Sequence, residues 1–323
     1  MSSFLFLGTI SKEMTKNEVD GLKKTQLGSS DLYVSQLGLG CMSLGTEEKT
    51  AFPILEAAIE QGINYFDTAD LYDFGENEKL LGTFFKQNRE EIIIASKVGN
   101  KWNDQKDGWS WDASKSYIKE AVKQSLKRLN TDYIDLYQLH GGTLEDNIKE
   151  TIEAFEELKE EGIIRYYGIS SIRPNVIREY VQHSSIVSVM MQYSILDRRP
   201  EEEALPLLAE NGISVVARGP VAKGLLSENY QKKLIQGYLD YSLEELQTIL
   251  PNLKETLANK HTLTEAALQY NLANPAVASV IAGASSIEQL IENAKAVNSA
   301  ALSKEEMEAI KKLTKANVYT KHR

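Results

Sequence analysis

Four polar residues of this chain could together transfer a proton to a carbonyl oxygen. Asp67, Lys97 and His140 each end a short apolar run, and Tyr72 follows Asp67 by five positions. If the runs are neighbouring parallel strands, their carboxyl ends meet at one rim of the sheet, so that the four side chains share a cleft. A phenol, an ammonium, a carboxylate and an imidazole in one cleft can protonate a carbonyl oxygen while hydride reaches its carbon.

The type of each side chain predicts its role. A phenol is a weak acid at neutral pH, and a neighbouring ammonium favours the phenolate, so Lys97 would make Tyr72 a better proton donor. Asp67 would keep Lys97 charged and oriented through a charge-assisted hydrogen bond. His140 would donate a hydrogen bond to the substrate carbonyl and polarise it. Since no side chain can deliver a hydride, the pattern predicts a reduced nicotinamide as its source.

Each of these residues also has an ordinary structural explanation when it is taken alone. An aspartate at a strand end often caps a helix, a lysine there is usually a solvated charge, and single histidines and loop tyrosines are commonly structural. All four, however, fall on one rim in adjacent units of the chain. That combination favours a catalytic site.

Composition argues against several other functions. The 323 residues carry a net charge of −10 and a pI near 5.1, which argues against nucleic-acid or anionic-membrane partners. No run approaches the roughly 20 apolar residues of a membrane span. Cys41 is the single cysteine, so no intrachain disulfide can form, and His183, His261 and His322 are too scattered to indicate a metal site. We therefore expect a soluble, cytoplasmic protein that acts on a small carbonyl compound.

Strand-like and helix-like segments alternate along nearly the whole chain, with no internal linker. The alternation predicts one α/β domain over residues 23–323, a closed (β/α)₈ TIM barrel. The predicted strands are short and rich in β-branched and aromatic residues: Val34–Gly40, Ile63–Asp67, Ile92–Lys97, Tyr133–His140, Ile163–Ser170, Ile186–Gln192, Ile213–Ala217 and Val277–Ala282. The predicted helices include Glu47–Gln61, Ser114–Leu129, Asp146–Glu161, Glu201–Glu210 and Thr264–Ala273.

Three segments depart from the regular alternation. Residues 1–22 are predicted to be a polar extension outside the barrel, and Leu302–Lys315 an extra C-terminal helix. The stretch from Arg218 to His261 is too long for an ordinary loop after the seventh strand, and it predicts a functional excursion that clamps a cofactor. A doubly wound sheet is the alternative fold, but Gly38–Ser43 has serine where the third glycine of a nucleotide fingerprint is needed.

Several segments resemble the aldo-keto reductase family, in the same order over about residues 23–315. They are Asp67-Thr68-Ala69-Asp70-Leu71-Tyr72, Ser96-Lys97-Val98, Asp135-Leu136-Tyr137-Gln138-Leu139-His140, Gly168-Ile169-Ser170-Ser171, Met191-Gln192-Tyr193, and Gly283-Ala284-Ser285 with Gln289, Glu292 and Asn293. The resemblance implies a (β/α)₈ barrel that binds NADPH without a Rossmann domain and passes hydride to an aldehyde or ketone. It also implies that Asp67, Tyr72, Lys97 and His140 form the catalytic set.

The same resemblance implies three groups of cofactor-binding residues. The nicotinamide would meet Ser170, Ser171, Gln192 and Tyr193, the turn Gly219-Pro220-Val221, and Gly40, Cys41 and Met42. The diphosphate would lie under Arg218 to Gly224, with Lys223 as a charge partner. The adenosine and its phosphate would meet Gly283, Ser285, Gln289 and Asn293.

Some positions depart from the family pattern. Ser171 stands where asparagine is common, and Ala282 where proline is usual. The segment Gly283–Ser286 lacks the lysine or arginine that usually meets the 2′-phosphate, so NADPH is the expected cofactor while NADH or dual use stays open. Trp102, on the loop after the third strand, either walls an aromatic substrate pocket or packs that loop against the barrel.

Two other functions are compatible with the sequence. A nucleotide-binding regulatory subunit of the same fold, like the potassium-channel β subunits, would retain all four catalytic side chains. An unrelated barrel enzyme, such as a lyase, could instead use Lys97 as a Schiff-base amine.

Overall fold

The computed structural model describes residues 21–323. Most of the predicted extension, residues 1–20, lies outside the described residues, and Leu22 is already buried against the barrel. The described strands are β1 (Lys24–Gln26), β2 (Tyr33–Ser35), β3 (Leu37–Gly40), β4 (Tyr65–Asp67), β5 (Ile93–Val98), β6 (Asn100–Trp102), β7 (Trp109–Trp111), β8 (Ile134–Leu139), β9 (Ile164–Ser170), β10 (Ser188–Gln192), β11 (Ser214–Arg218) and β12 (Val277–Ala282). The described helices are α1 (Glu48–Glu60), α2 (Glu76–Phe84), α3 (Lys115–Leu129), α4 (Ile148–Glu160), α5 (Pro174–His183), α6 (Ala204–Glu210), α7 (Leu243–Leu257), α8 (Leu263–Leu272), α9 (Ile287–Val297) and α10 (Lys304–Leu313).

Eight parallel strands form a closed barrel, which confirms the predicted fold. Their order round the ring is the order of the chain, β3, β4, β5, β8, β9, β10, β11 and β12. The ring closes because β12 pairs with β3 in parallel, with Ile281 opposite Gly38. All eight carboxyl ends therefore open on one rim.

Alternation along the strands divides the core into two layers, since successive strand residues point to opposite faces. One cluster fills the barrel interior and includes Tyr65, Ala95, Leu136, Met190 and Val216. The residues next to these on the same strands pack outward against the helices: Phe66, Ile94, Tyr137, Met191 and Ala217. A residue's parity on its strand therefore decides whether it can reach the barrel mouth.

The helices follow local signals in the sequence. Gly62 and Gly162 take left-handed backbone angles, φ 84° and 73°, just after α1 and α4, and lead the chain into the next strands. Helix α7 lies inside the predicted Arg218–His261 loop, so that excursion is partly helical. Helix α7 begins with a capping box, in which the side chains of Ser242 and Glu245 each accept a hydrogen bond from the other residue's backbone N–H. No helix within residues 21–323 is long and apolar enough to cross a membrane.

A hairpin of β1 and β2 closes the end of the barrel opposite the catalytic rim. The sequence predicts one strand over Val34–Gly40, but the structure has two, because the chain turns at Gln36 between β2 and β3. Val34 and Leu27 of the hairpin join the interior cluster. The backbone N–H of Gly28 donates to Ser214 Oγ at 2.7 Å, at the start of β11. The hairpin is thus a plug in the amino-terminal opening.

Substitution of Gly82 tests how closely α2 packs on α3. A Cβ at Gly82 would lie 2.4 Å from the Arg128 carbonyl oxygen and 2.5 Å from the Leu129 carbonyl carbon. Because both are backbone atoms, we expect Gly82→Ala to lower the free energy of unfolding by about 1–3 kcal/mol in urea denaturation. Gly108→Ala is the matched control, since its Cβ would have nothing closer than 3.5 Å. Equal stability of the two variants would contradict the close packing.

Candidate active site

Three of the four predicted catalytic residues meet at one ammonium. Lys97, at the penultimate position of β5, is 1% exposed. Its Nζ donates to Asp67 Oδ2 at 2.8 Å, to the Thr68 carbonyl oxygen at 2.7 Å and to the Tyr72 hydroxyl oxygen at 3.2 Å. The three donors of the ammonium are therefore all used, and its position is fixed.

The charge on Lys97 is maintained by its neighbours. Burial works against the ammonium, but the Asp67 carboxylate and Tyr72 outweigh it, and the pKa of Lys97 lies above its ordinary value. Burial raises the pKa of Asp67, and the Lys97 ammonium opposes that effect. At a separation of 2.8 Å the pair is ionic.

Tyr72 is held by the turn that follows it. Asp73, Phe74 and Gly75 all have left-handed backbone angles, with φ between 48° and 85°, and they turn the chain from Tyr72 into α2. Such angles are uncommon for residues other than glycine, and here Asp73 and Phe74 both adopt them. Packing supports the turn, because the Phe74 ring lies 5.7 Å from the Trp102 ring.

His140 completes the predicted set just after β8. Its ring centre lies 6.0 Å from that of Tyr72, edge to face. Burial, reinforced by the positive charges of Lys97 and Arg218, lowers the pKa of His140 to about 3. The imidazole is therefore neutral at physiological pH and can donate one hydrogen bond without carrying charge.

Two residues at the start of α2 connect the catalytic loop to the barrel. Asn77 accepts from Thr68 Oγ1 at 2.7 Å and donates to the Cys41 carbonyl oxygen at 2.8 Å. Glu78, which is fully buried, accepts from Ser96 Oγ at 2.5 Å and from Arg128 Nε at 2.7 Å. Neither residue was assigned a role from the sequence, although both lie in the first turn of α2, soon after Tyr72.

Asp70 is a buried acid on the same loop. It is 1% exposed, and neither carboxyl oxygen has a hydrogen-bond partner among the residues that the structure describes. Burial, with the charge of Glu78, raises the pKa of Asp70 well above its ordinary value. Burial therefore disfavours the ionised form of this carboxyl.

A cleft of about 640 Å³ runs from the catalytic residues across the rim to the start of α9. Most predicted cofactor-binding residues line it: Gly40, Met42, Arg218, Gly219, Pro220, Val221, Lys223, Gly224, Gly283, Ser285, Gln289 and Asn293. Additional lining residues that the sequence did not single out include Ser43, Met190, Ser227, Asn229, Lys233, Thr264 and Ile281. The excursion after β11 supplies Lys233, which confirms that it contributes to this rim.

Strand parity explains where the other predicted cofactor residues lie. Ser170 and Gln192 share the inward parity of the interior cluster, and the Gln192 side chain accepts from Arg218 Nη1 at 3.2 Å. Tyr193 has the opposite parity, and its hydroxyl donates to Glu201 at 3.0 Å behind the barrel wall. The structure thus places the Tyr193 ring outside the cleft.

Cys41, Ser171 and Trp102 also lie away from the cleft surface. Cys41 is fully buried in the layer between strands and helices, and Ser171 Oγ accepts from the Arg173 backbone N–H at 3.2 Å. Trp102, predicted as a possible substrate contact, packs on Phe74 beneath the catalytic loop. Of the two interpretations of Trp102, the structure favours loop packing.

The cleft has the features that a dinucleotide requires. Gly40, Gly219, Gly224 and Gly283 have no side chains, so that a ligand can approach the backbone at these points of the wall. A Cβ at Gly283 would lie 3.0 Å from Ser43 Oγ, so a larger residue there would require the Ser43 side chain to shift. The catalytic residues lie at one end and the N-terminus of α9 at the other.

Comparisons with known proteins agree with this arrangement. A family model described as the aldo/keto reductase family matches residues 36–315. The Bacillus subtilis oxidoreductase YqkF is 61% identical over 307 residues, which cover 94% of this chain and 100% of the relative. The NADH-specific methylglyoxal reductase of Escherichia coli is 31% identical over 306 residues, covering 86% of this chain and 94% of that protein. The solved holo form of aldo-keto reductase AKR11C1 from Bacillus halodurans has a TM-score of 0.89 and 60% identity, covering 94% of this chain and 99% of that one.

The closed parallel barrel with this cleft and the matches to oxidoreductases define the class of protein as a barrel oxidoreductase. The chain belongs to the aldo/keto reductase family, whose members use nicotinamide cofactors. It is therefore an NAD(P)H-dependent enzyme that acts on small molecules, and the family predicted from the sequence motifs is confirmed.

The raised pKa of Asp70 predicts a pH-dependent difference in stability. Asp70→Asn should be more stable than the wild type at neutral pH, because burial disfavours a carboxylate that ionises freely once the chain is unfolded. A raised folded pKa contributes stability below the ordinary value of 3.8 that is lost as pH rises. The gap should therefore widen as pH rises above 3.8 towards the raised pKa of the folded state, by up to about 1.4 kcal/mol per pH unit.

The measurement is urea denaturation of both proteins at several pH values. Asp104→Asn, on the exposed turn between β6 and β7, serves as the matched control. A gap between Asp70→Asn and the wild type that stays constant with pH would contradict a raised pKa of Asp70.

Proposed function

We propose that the protein is an NADPH-dependent reductase that converts aldehydes or ketones to alcohols, with Tyr72 as the general acid. The observation that carries this proposal is the Lys97 ammonium, held by Asp67 and donating to the Tyr72 hydroxyl oxygen at 3.2 Å. A fixed cation at that oxygen stabilises the phenolate that remains after proton transfer. Proton donation by a positioned acid is typical of carbonyl reduction.

The residues of the cleft divide the chemical work. Tyr72 O–H donates its proton to the substrate oxygen, and Lys97 stabilises the phenolate while Asp67 keeps the ammonium charged. Neutral His140 donates a hydrogen bond to the same oxygen and orients it. A reduced nicotinamide bound in the cleft supplies the hydride. Asn77 and Glu78 keep the Tyr72 loop in register with the barrel rim.

The state of Lys97 argues against Schiff-base chemistry. A Schiff-base lysine must attack as a neutral amine, which requires a lowered pKa. Here the pKa of Lys97 is raised, and all three of its donors have acceptors. The reductase interpretation needs the charged form and agrees with both observations.

Two lysines support NADPH as the cofactor. The segment Gly283–Ser286 carries no cation, but Lys223 and Lys233 line the cleft from the excursion after β11. The α9 N-terminus, capped by Ser286, adds a partial positive charge to the lining of the cleft. These groups favour the additional phosphate of NADPH, although the relative from Escherichia coli is named as NADH-specific. We also propose a cytoplasmic location, which the unpaired Cys41 supports.

Replacement of Tyr72 tests the proposed acid. Tyr72→Phe should lower kcat for a reactive test aldehyde between about 10² and about 10⁴-fold, because the proton donor is lost. The Kd for NADPH should change little, since the ring remains. Stopped-flow turnover and NADPH fluorescence titration measure the two effects. Tyr33→Phe, on the hairpin at the opposite end of the barrel, is the matched control.

A wild type that reduces a broad carbonyl panel no faster than Tyr72→Phe would contradict the reductase proposal. Stable binding of a partner protein together with such slow turnover would favour the regulatory-subunit alternative. Loss of NADPH binding in Tyr72→Phe would place the residue in cofactor binding rather than in proton transfer.

Cofactor choice is tested by comparing kcat/KM for NADPH and NADH. We expect the wild type to prefer NADPH. Lys233→Gln should lower kcat/KM for NADPH about tenfold, because it loses one charge-assisted contact worth about 1.4 kcal/mol, and it should change kcat/KM for NADH little. Lys232→Gln is the control, because Lys232 is exposed and does not line the cleft. A wild-type preference for NADH would overturn the choice of NADPH.

A further inference from the structure

Arg218 is the last residue of β11 and lines the cleft with an exposed side chain. It lies two positions after Val216, which belongs to the interior cluster, so its side chain has the inward parity of Asp67 and Lys97. In the strand register it stands opposite Gln192 on one side and Ile281 on the other. Its guanidinium donates to Gln192 Oε1 at 3.2 Å. This position is close enough for the Arg218 charge to act on Asp67 and His140, whereas the sequence resemblance implied a place at the diphosphate.

Lys97 and Arg218 bring two positive charges to this end of the cleft, and the Asp67 carboxylate faces them both. Lys97 is paired with Asp67 at 2.8 Å. Within residues 21–323, no carboxylate forms an ion pair with Arg218, and Gln192 is its hydrogen-bond partner. This charge acts on a catalytic residue. Burial, Lys97 and Arg218 together lower the pKa of His140.

The nicotinamide ring must lie close to this charge if the proposed function holds. Its reactive carbon has to reach a carbonyl whose oxygen meets Tyr72, and near-attack geometry requires separations of about 3–3.5 Å. Asp67, Tyr72 and Arg218 all line the same cleft. The ring therefore occupies the end of the cleft that Arg218 borders.

We propose, resting on the proposed function, that Arg218 makes the site bind the reduced cofactor more tightly than the oxidised one. The oxidised nicotinamide ring carries a positive charge and the reduced ring is neutral. Repulsion by a guanidinium therefore acts on the oxidised form alone. A site of this kind retains the form that donates hydride and releases the spent form, which favours carbonyl reduction.

Comparing the oxidised and reduced cofactors removes the effect of every contact that the two forms share. They share the adenosine, the diphosphate and the 2′-phosphate, so contacts to those groups cancel in the ratio of the two Kd values. A residue that binds phosphate changes both Kd values by the same factor. A residue that acts on ring charge changes their ratio.

The test measures Kd for NADP⁺ and NADPH on the full chain by fluorescence titration and calorimetry, without substrate. The wild type should bind NADPH more tightly than NADP⁺ by about tenfold or more, and Arg218→Gln should reduce that ratio about tenfold. For a two-electron couple, a tenfold change corresponds to about 30 mV in the potential of the bound cofactor. Arg218→Lys should keep most of the ratio, because it keeps the charge.

Lys233→Gln is the matched control, a second cleft cation that should weaken both forms equally. A ratio unchanged in Arg218→Gln, or an equal loss of affinity for both forms, would overturn the proposal and return Arg218 to the phosphates. A wild type that binds neither nucleotide would overturn the proposed function itself. A ratio lost in Arg218→Gln and kept in Arg218→Lys would support the role of charge over that of shape.

Discussion

The catalytic rim depends on a lysine ammonium that is almost completely removed from water. Desolvation of a charged amine costs several kcal/mol unless acceptors replace the lost water. For Lys97 those acceptors are the Asp67 carboxylate, the Thr68 carbonyl and the Tyr72 hydroxyl. They come from the end of β4 and the loop beyond it, so the position of that loop is determined by the charge at its centre. The same contacts that stabilise the buried ion orient the proton donor.

A second set of contacts keeps that loop from moving away from the barrel. Asn77 joins Thr68 to the chain beyond β3, and Glu78 joins Ser96 on β5 to Arg128 on α3. Helix α2 is therefore the element that connects the Tyr72 loop to both neighbouring strands. The left-handed turn before α2 brings these two side chains beneath the loop.

Residue type and order in the sequence predicted the barrel and the catalytic set, because strand ends in a closed barrel all open on one rim. They did not predict which neighbours of those residues face the cleft. Tyr193 and Cys41 were assigned to the cofactor by their place in a motif, yet their strand parity directs them outward. Parity was readable from the alternation of the strands. The hairpin plug and the contacts of Trp102 were not, because they depend on residues distant in sequence.

The β1–β2 hairpin has a consequence for the opposite end of the molecule. With Leu27 and Val34 packed in the amino-terminal opening, the hairpin lies across the route by which water could reach Lys97 from that end. Exchange of protons between the buried pair and solvent must then pass through the mouth that ligands use. A ligand that covers this mouth separates the site from solvent. Tyr72 would then regain its proton from water only after the ligand leaves and before the next one binds.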